Sequence, residues 1–183
     1  PNSDDIISVD LGTNELWFST INAAQKIAYR SPKKMTLEEG AGPRHLAFHP
    51  NQPWIYVLNE LNNTISLVKK LEGTYQQVFS IATLPEGFGG YSVAAELKIS
   101  PDGQFLYASN RGRNSITCYS IEKEAGVLEL VNFFPSKGNT PRNFSLTPDG
   151  EFLVVANQDS NTLVSFQRNS KTGELTYVST IEA

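Results

Sequence analysis

Apolar runs of five to eight residues, some alternating with polar positions and some continuous, recur along the chain from Ile6 onward, with turn residues between them. The runs are rich in β-branched and aromatic side chains, and a helical period is nowhere sustained, so the pattern predicts strands. These strands fall into a repeat. The segments PRHLAFHPNQPWIYVLNELNNTISL from Pro43, AAELKISPDGQFLYASNRGRNSITCY from Ala94 and PRNFSLTPDGEFLVVANQDSNTLVSF from Pro141 align with one another. Pro50, Pro101 and Pro148 lie 51 and 47 residues apart, and Asn59, Asn110 and Asn157 keep the same spacings. A truncated copy, IISVDLGTNELWF from Ile6, matches the second half of the unit, with Asp10 standing 49 residues before Asn59.

Within each unit the turns can be assigned. Pro101-Asp102-Gly103 and Pro148-Asp149-Gly150 join a first strand to a second, because proline presets one backbone angle and glycine accepts the positive φ that follows. Gly73, Gly126 and Gly173 mark the turn from the third strand to the fourth. Four antiparallel strands in a repeat of about 40 to 50 residues define a propeller blade. The expected architecture is all-β, a β-propeller, with a partial blade over about 1–40 and complete blades over about 41–90, 91–138 and 139–183. Propellers generally close with about four to eight blades. The chain also opens on Pro1 rather than Met, inside a strand-like run. It is therefore expected to be one part of a longer polypeptide or a fragment that associates with another chain.

Composition narrows the function classes. The chain is 39% apolar and 19% charged, with a net charge of −4, and its basic residues form no run longer than Lys33-Lys34 and Lys69-Lys70. Nothing resembles an electrostatic footprint for nucleic acid, and no apolar stretch is long enough to span a membrane as a helix. The single cysteine, Cys118, excludes an intramolecular disulfide and suits a reducing compartment, so a cytoplasmic location is expected.

In an antiparallel hairpin the start of the first strand and the end of the second share an edge, so these two points of every blade converge on the mouth of the central channel. Recurring residues there read as structural. Asp10, Asn59, Asn110 and Asn157 are equivalent and are expected to hydrogen bond the turn after the second strand, although Asn59 and Asn110 also stand as candidate substrate contacts. The next position varies: Leu11, Glu60, Arg111 and Gln158. At the first-strand starts the equivalents are Arg44-His45, Ala95-Glu96 and Arg142-Asn143. Of six arginines, Arg44, Arg111, Arg113 and Arg142 fall at this edge, while Arg30 and Arg168 do not. Guanidinium suits a carboxylate or phosphate guest, so a small anionic molecule is expected. Glu60, Glu96 and His45 could supply acid–base chemistry. Spacing leaves equally open that Glu60 and Arg111 form a structural ion bridge between blades. His49, beside Pro50 at the opposite edge, reads as a solvated turn residue. No metal site is suggested, since two histidines four apart on a strand and turn do not make a zinc site, and no cofactor is called for. Gly87, Gly89 and Gly90 read as a flexible connection. Cys118 and the aromatics Trp17, Trp54, Tyr56, Tyr107 and Phe152 read as packing.

The motifs VDLGTN from Val9, GAGPRHLAFHP from Gly40, LNEL from Leu58, AAEL from Ala94, SPDGQFLYASNRG from Ser100, TPRNFSLTPDGEFLVVANQ from Thr140 and TGEL from Thr172 resemble one family. It is the seven-bladed lactonases grouped with bacterial 6-phosphogluconolactonase and fungal carboxymuconate cyclase. The resemblance covers most of the chain and implies roughly the third to sixth blades, with an upstream histidine motif and the closing strands outside it. It implies active-site roles for Arg44 in GPRH, Glu60 in NEL and Arg111 in SNRG. It places His45, Glu96 and Arg142 in the same pocket. The family often has histidine where this chain has Arg113 and Lys98. The implied activity, expected of the complete ring, is metal-free hydrolysis of a small anionic sugar lactone, 6-phosphogluconolactone to 6-phosphogluconate, within the pentose phosphate pathway. Arg44 and Arg111 would bind the anion and polarise the carbonyl, and Glu60 with the upstream histidine would activate water. The alternatives are a carboxymuconate cycloisomerase, or a non-catalytic propeller scaffold.

Overall fold

The second strand of each blade is nearly continuous in apolar residues, WIYVLN, FLYASN and FLVVAN; the first two are buried on both faces, while the third, in an end sheet, alternates buried and partly buried positions. In the computed structural model, which describes residues 5–183, these segments lie inside four antiparallel sheets, and residues 1–4 of the partial blade lie outside the described residues. The first sheet contains β1 (Asp5–Asp10), β2 (Glu15–Ile21) and β3 (Ile27–Thr36). The second contains β4 (Pro43–Phe48), β5 (Trp54–Asn59), β6 (Thr64–Leu71) and β7 (Thr74–Ala82). The third contains β8 (Val93–Ile99), β9 (Phe105–Arg111), β10 (Ser115–Ile121) and β11 (Leu128–Pro135). The fourth contains β12 (Pro141–Leu146), β13 (Phe152–Asn157), β14 (Thr162–Arg168) and β15 (Leu175–Glu182). No helix occurs among the described residues.

The apolar cores lie between blades. Leu16 and Phe18 of the first sheet pack on Ile55, Val57 and Val68 of the second. The other face of the second, with Trp54, Tyr56 and Leu58, meets Leu97, Leu106 and Tyr119 of the third. Tyr107 and Cys118 of the third meet Phe144, Val155 and Phe166 of the fourth. Trp17 and Phe152, expected in the core, are only partly buried, because each belongs to an end sheet that packs on one side. Burial pushes the Cys118 thiol up to about 12, which leaves it inert at neutral pH.

The third-to-fourth strand turns at Gly126 and Gly173 dock on the preceding blade, whereas a Cβ at Gly73 would meet nothing within 4 Å. Tyr56 Oη donates to the Gly126 carbonyl at 2.7 Å, and Tyr107 Oη donates to the Gly173 carbonyl at 2.7 Å. A Cβ at Gly126 would lie 2.5 Å from Trp54, and one at Gly173 would lie 2.4 Å from Phe105. Glycine is needed at both for this close approach as well as for its positive φ.

The opposite edge differs from expectation at His49. It is not a solvated turn residue: its Nε2 lies 3.0 Å from the Gly103 carbonyl of the third blade, and its ring packs edge-on against Trp54 at 5.0 Å. The Pro-Asp-Gly turn of the next blade approaches it because adjacent blades stack turn against turn. Arg168 of the fourth blade ties the next seam in the opposite sense, donating to the Gly150 carbonyl of its own blade at 2.6 Å and back to Asp102 Oδ2 of the third blade at 2.8 Å.

Candidate active site

First and second strands pair so that Pro43 faces Asn59, Ala94 faces Asn110 and Pro141 faces Asn157. The mouth edge is therefore shared, as the hairpin argument requires. Each inner strand also carries a register irregularity there, between Pro43 and His45, between Ala94 and Leu97, and between Pro141 and Asn143. A bulge bends the strand and re-aims its side chains. The displaced positions include Arg44, Ala95, Glu96 and Arg142.

Glu60 lies between two guanidiniums. Arg44 Nη1 donates to Glu60 Oε2 at 2.6 Å, and Arg111 Nη2 donates to Glu60 Oε1 at 2.6 Å. Arg44 Nε is fixed on the Ala95 carbonyl at 2.8 Å, and Arg111 Nη2 also reaches the Ala94 carbonyl at 3.3 Å. The Glu60 backbone is held from both sides, its N–H on Gly42 O at 2.8 Å and its carbonyl accepting from Ala94 N at 3.2 Å. The clamp thus ties the second blade to the third. Side-chain exposure is 14% for Glu60, 21% for Arg44 and 13% for Arg111, so one face of the trio remains open to the mouth. Arg111 Nε is buried without an acceptor among the described residues. Burial of Glu60 favours its neutral form, but hydrogen bonds and charges from Arg44 and Arg111 outweigh it and hold the carboxyl below the ordinary range. Glu60 is therefore ionised at neutral pH.

His45, Glu96 and Asn143 hold the same repeat position one blade apart. Glu96 is 3% exposed; its Oε2 accepts from Asn143 Nδ2 at 2.7 Å, and its Oε1 accepts from the Leu97 N–H at 3.0 Å and lies 3.3 Å from Lys98 Nζ. Lys98, where the family often has histidine, neutralises this buried carboxylate. Burial lowers the His45 pKa below its ordinary 6.5, Glu96 opposes that shift, and Arg44 and Lys98 reinforce it, so the imidazole is neutral at pH 7. Arg142 is exposed and donates to Gln158 Oε1 at 3.1 Å. Arg44, His45, Arg142, Asn143 and Gln158 line one cavity of about 470 Å³ together with Ala156, Leu163 and Ala183 on the open side of the fourth sheet; small-molecule sites are of this size.

Two candidate contacts are buried. Asn59 and Asn110 are 1% and 0% exposed and point into the blade frame. Asn59 Nδ2 donates to Thr64 Oγ1 and Ser66 Oγ, each at 2.9 Å, while Asn110 bonds Thr83 and Thr117. Only Asp10 caps its following turn directly, accepting from the N–H groups of Gly12 and Thr13. Arg113 also departs from the mouth reading: its guanidinium lies 4.5 Å from the Phe133 ring centroid in its own blade. Sequence reasoning missed Gln158 as the partner of Arg142. The signal was there, since Gln158 follows Arg142 by the spacing with which Glu60 follows Arg44. Among the described residues no group of three or more His, Cys, Asp or Glu side chains could hold a metal ion.

The propeller mouth thus holds a carboxylate clamped by two arginines, beside a neutral imidazole and the guanidinium of Arg142. The chain belongs to the family described as Lactonase, 7-bladed beta-propeller, which matches residues 1–183. It is 38% identical over 122 residues to a 6-phosphogluconolactonase of Klebsiella pneumoniae, covering 66% of this chain and 37% of that one. A periplasmic gluconolactonase of Pseudomonas aeruginosa superposes over 100% of this chain and 52% of its own, with a TM-score of 0.93 and 28% identity. A putative 6-phosphogluconolactonase of Bacteroides fragilis does so over the same shares, with a TM-score of 0.90 and 28% identity. The chain spans 41% of the length of the first curated relatives it matches, from Lactococcus lactis.

Proposed function

We propose that the protein hydrolyses a small anionic sugar lactone, with 6-phosphogluconolactone as the substrate. The observation that carries this reading is the Arg44–Glu60–Arg111 clamp, which holds two cations in fixed positions at the mouth. In the proposed reaction the lactone carbonyl oxygen lies against the guanidinium donors that Glu60 does not use. Water adds to the carbonyl carbon, the ring C–O bond breaks, the ring oxygen takes a proton and the product is the open carboxylate. Fixed cations at a developing oxyanion lower such a barrier without reorganising at the moment of reaction. Glu60, ionised and doubly bonded, positions the arginines and orients the water. His45, neutral at pH 7, receives the water's proton. The 6-phosphogluconolactonase of Klebsiella pneumoniae and the gluconolactonase of Pseudomonas aeruginosa among the similar proteins support the substrate class.

The test is the rate of 6-phosphogluconolactone opening by the full-length protein, read against the spontaneous rate, with Glu60→Gln and Arg111→Ala alongside. Wild type should accelerate opening, Arg111→Ala should lose about 10²–10³-fold in kcat, the usual loss for one oxyanion donor, and Glu60→Gln, which frees both arginines, should also lose rate. An inactive wild type, or a fully active Arg111→Ala, would sink the proposal.

A further inference from the structure

The two mouth positions that hold Arg44 and Glu60 recur once per blade. The second blade carries Arg44 and Glu60, the third Ala95 and Arg111, the fourth Arg142 and Gln158. Arg44 and Glu60 are 16 residues apart, and so are Arg142 and Gln158. The bond recurs too: Arg44 Nη1 donates to Glu60 Oε2 at 2.6 Å, and Arg142 Nη1 donates to Gln158 Oε1 at 3.1 Å. Both arginines stand at the register irregularity of their inner strands. The fourth blade therefore repeats the arginine half of the clamp and changes the chemistry of its acceptor.

That change leaves a charge. An amide oxygen orients a guanidinium but does not neutralise it, whereas a carboxylate does both. The carboxylate of Asp159 bonds elsewhere, its Oδ2 accepting from Thr140 Oγ1 at 2.5 Å and its Oδ1 from Gln158 Nε2 at 3.1 Å. Among the described residues Arg142 makes no ion pair, while Arg30, Arg44, Arg111 and Arg168 each do. Arg142 shares the cavity of about 470 Å³ with Arg44 and His45, so a guest engaged at Arg44 extends toward Arg142.

We infer that Arg142, presented by Gln158, is an anion subsite separate from the Arg44–Glu60–Arg111 clamp, and that it selects guests carrying a second anionic group over guests that lack one. The group is a phosphoryl or a terminal carboxylate, both matched by the two-pronged guanidinium. The subsite rests on the proposed lactone chemistry only for the identity of the rest of the guest.

The experiment is equilibrium binding by calorimetry to the full-length protein, Arg142→Ala and Gln158→Glu. The probes are 6-phosphogluconate, glucarate and gluconate, which differ only at the end remote from the shared carboxylate. Gln158→Glu rebuilds the second blade's pair in the fourth and cancels the Arg142 charge while leaving that side chain in place. Wild type should prefer 6-phosphogluconate to gluconate by about 10- to 100-fold, the range for a charge-assisted hydrogen bond, and both variants should bring that ratio close to one. Glucarate bound like 6-phosphogluconate assigns the subsite to anions generally, and glucarate bound like gluconate assigns it to phosphoryl groups. A wild type with no preference, or a preference that survives in either variant, overturns the inference. The ratio is independent of turnover, so failure to open lactones with the ratio intact removes the proposed reaction and leaves the subsite standing.

Discussion

Replacing Glu60 with Gln keeps the side chain's shape and one acceptor oxygen but removes the charge shared by Arg44 and Arg111. Both guanidiniums, 21% and 13% exposed, then sit at one seam with no counter-charge. Removing one partner of a buried pair costs about 3–5 kcal/mol, and exposed pairs are worth ~0–1 kcal/mol. The clamp lies between these limits, so a loss of about 2–3 kcal/mol is expected. At ~2–4 °C per kcal/mol for domains of this size, the Tm falls by roughly 4–12 °C, and by less in a larger domain. Differential scanning calorimetry at several pH values is the assay. The folded pKa of Glu60 lies below its ordinary 4.5, so its contribution is complete above that value and disappears as pH falls through the folded value. The gap between wild type and variant should therefore close in acid. In the Glu60→Gln background, Arg111→Ala should cost less than in wild type, because it relieves the repulsion from Arg44. Identical melting of wild type and Glu60→Gln at pH 7, or a gap that persists unchanged in acid, would refute the reasoning.

Two further outcomes follow from the geometry. Gly126→Ala adds a Cβ 2.5 Å from Trp54 at a φ of 67°, whereas Gly40→Ala adds one at a φ of 77° with nothing within 4 Å. The first should lose backbone strain of about 1–2 kcal/mol plus ~1–3 kcal/mol of overpacking, the second only the strain; equal losses in chemical denaturation would show that the blade seam yields. His45 has a pKa below 6.5, so kcat/KM for lactone opening should fall as pH drops through that lowered value, and His45→Asn should lack this acid limb. An unchanged limb in the variant assigns the titration elsewhere.

The fold could be read in the sequence because a repeat multiplies weak signals. One Pro-Asp-Gly turn would fit many proteins, but Pro101 and Pro148 keep step with Asn110 and Asn157, and only a recurring four-stranded unit explains both. The mouth positions followed from hairpin geometry alone, which is why Arg44, Glu60, Arg111 and Arg142 were placed on one edge without a structure. Side-chain direction was harder to read. The repeat gives Asn59 and Asn110 the same position but not their inward rotamers, which depend on Ser66 and Thr83. Arg113 was assigned by proximity in sequence, and its aromatic partner, Phe133, lies on another strand. His49 was missed because its partner, Gly103, belongs to the next blade. Arg168 carried no comparable signal: it aligns with Ile121 and Lys70, so a charge there is not unusual in the repeat, and its partner, Asp102, lies on the preceding blade.

The sequence left two readings of Glu60 open, an ion bridge between blades or a group with chemistry, and the geometry removes the opposition between them. A cation can stabilise developing charge without reorganisation only if something else already holds it. At the mouth that support comes from the seam itself: Arg44 reaches across to the Ala95 carbonyl, Arg111 reaches back to Glu60, and the Glu60 carbonyl accepts from Ala94. The contacts that join the second blade to the third are the ones that fix the guanidinium donors in space. In the proposed reaction, packing and preorganisation are therefore one set of bonds, and a variant that loosens the seam at Ala94 or Ala95 should lose rate before it loses fold. The fourth blade extends the logic. With Gln158 in place of a carboxylate, Arg142 is oriented but not neutralised, so the repeat supplies a held cation where a guest's charge can complete the pair.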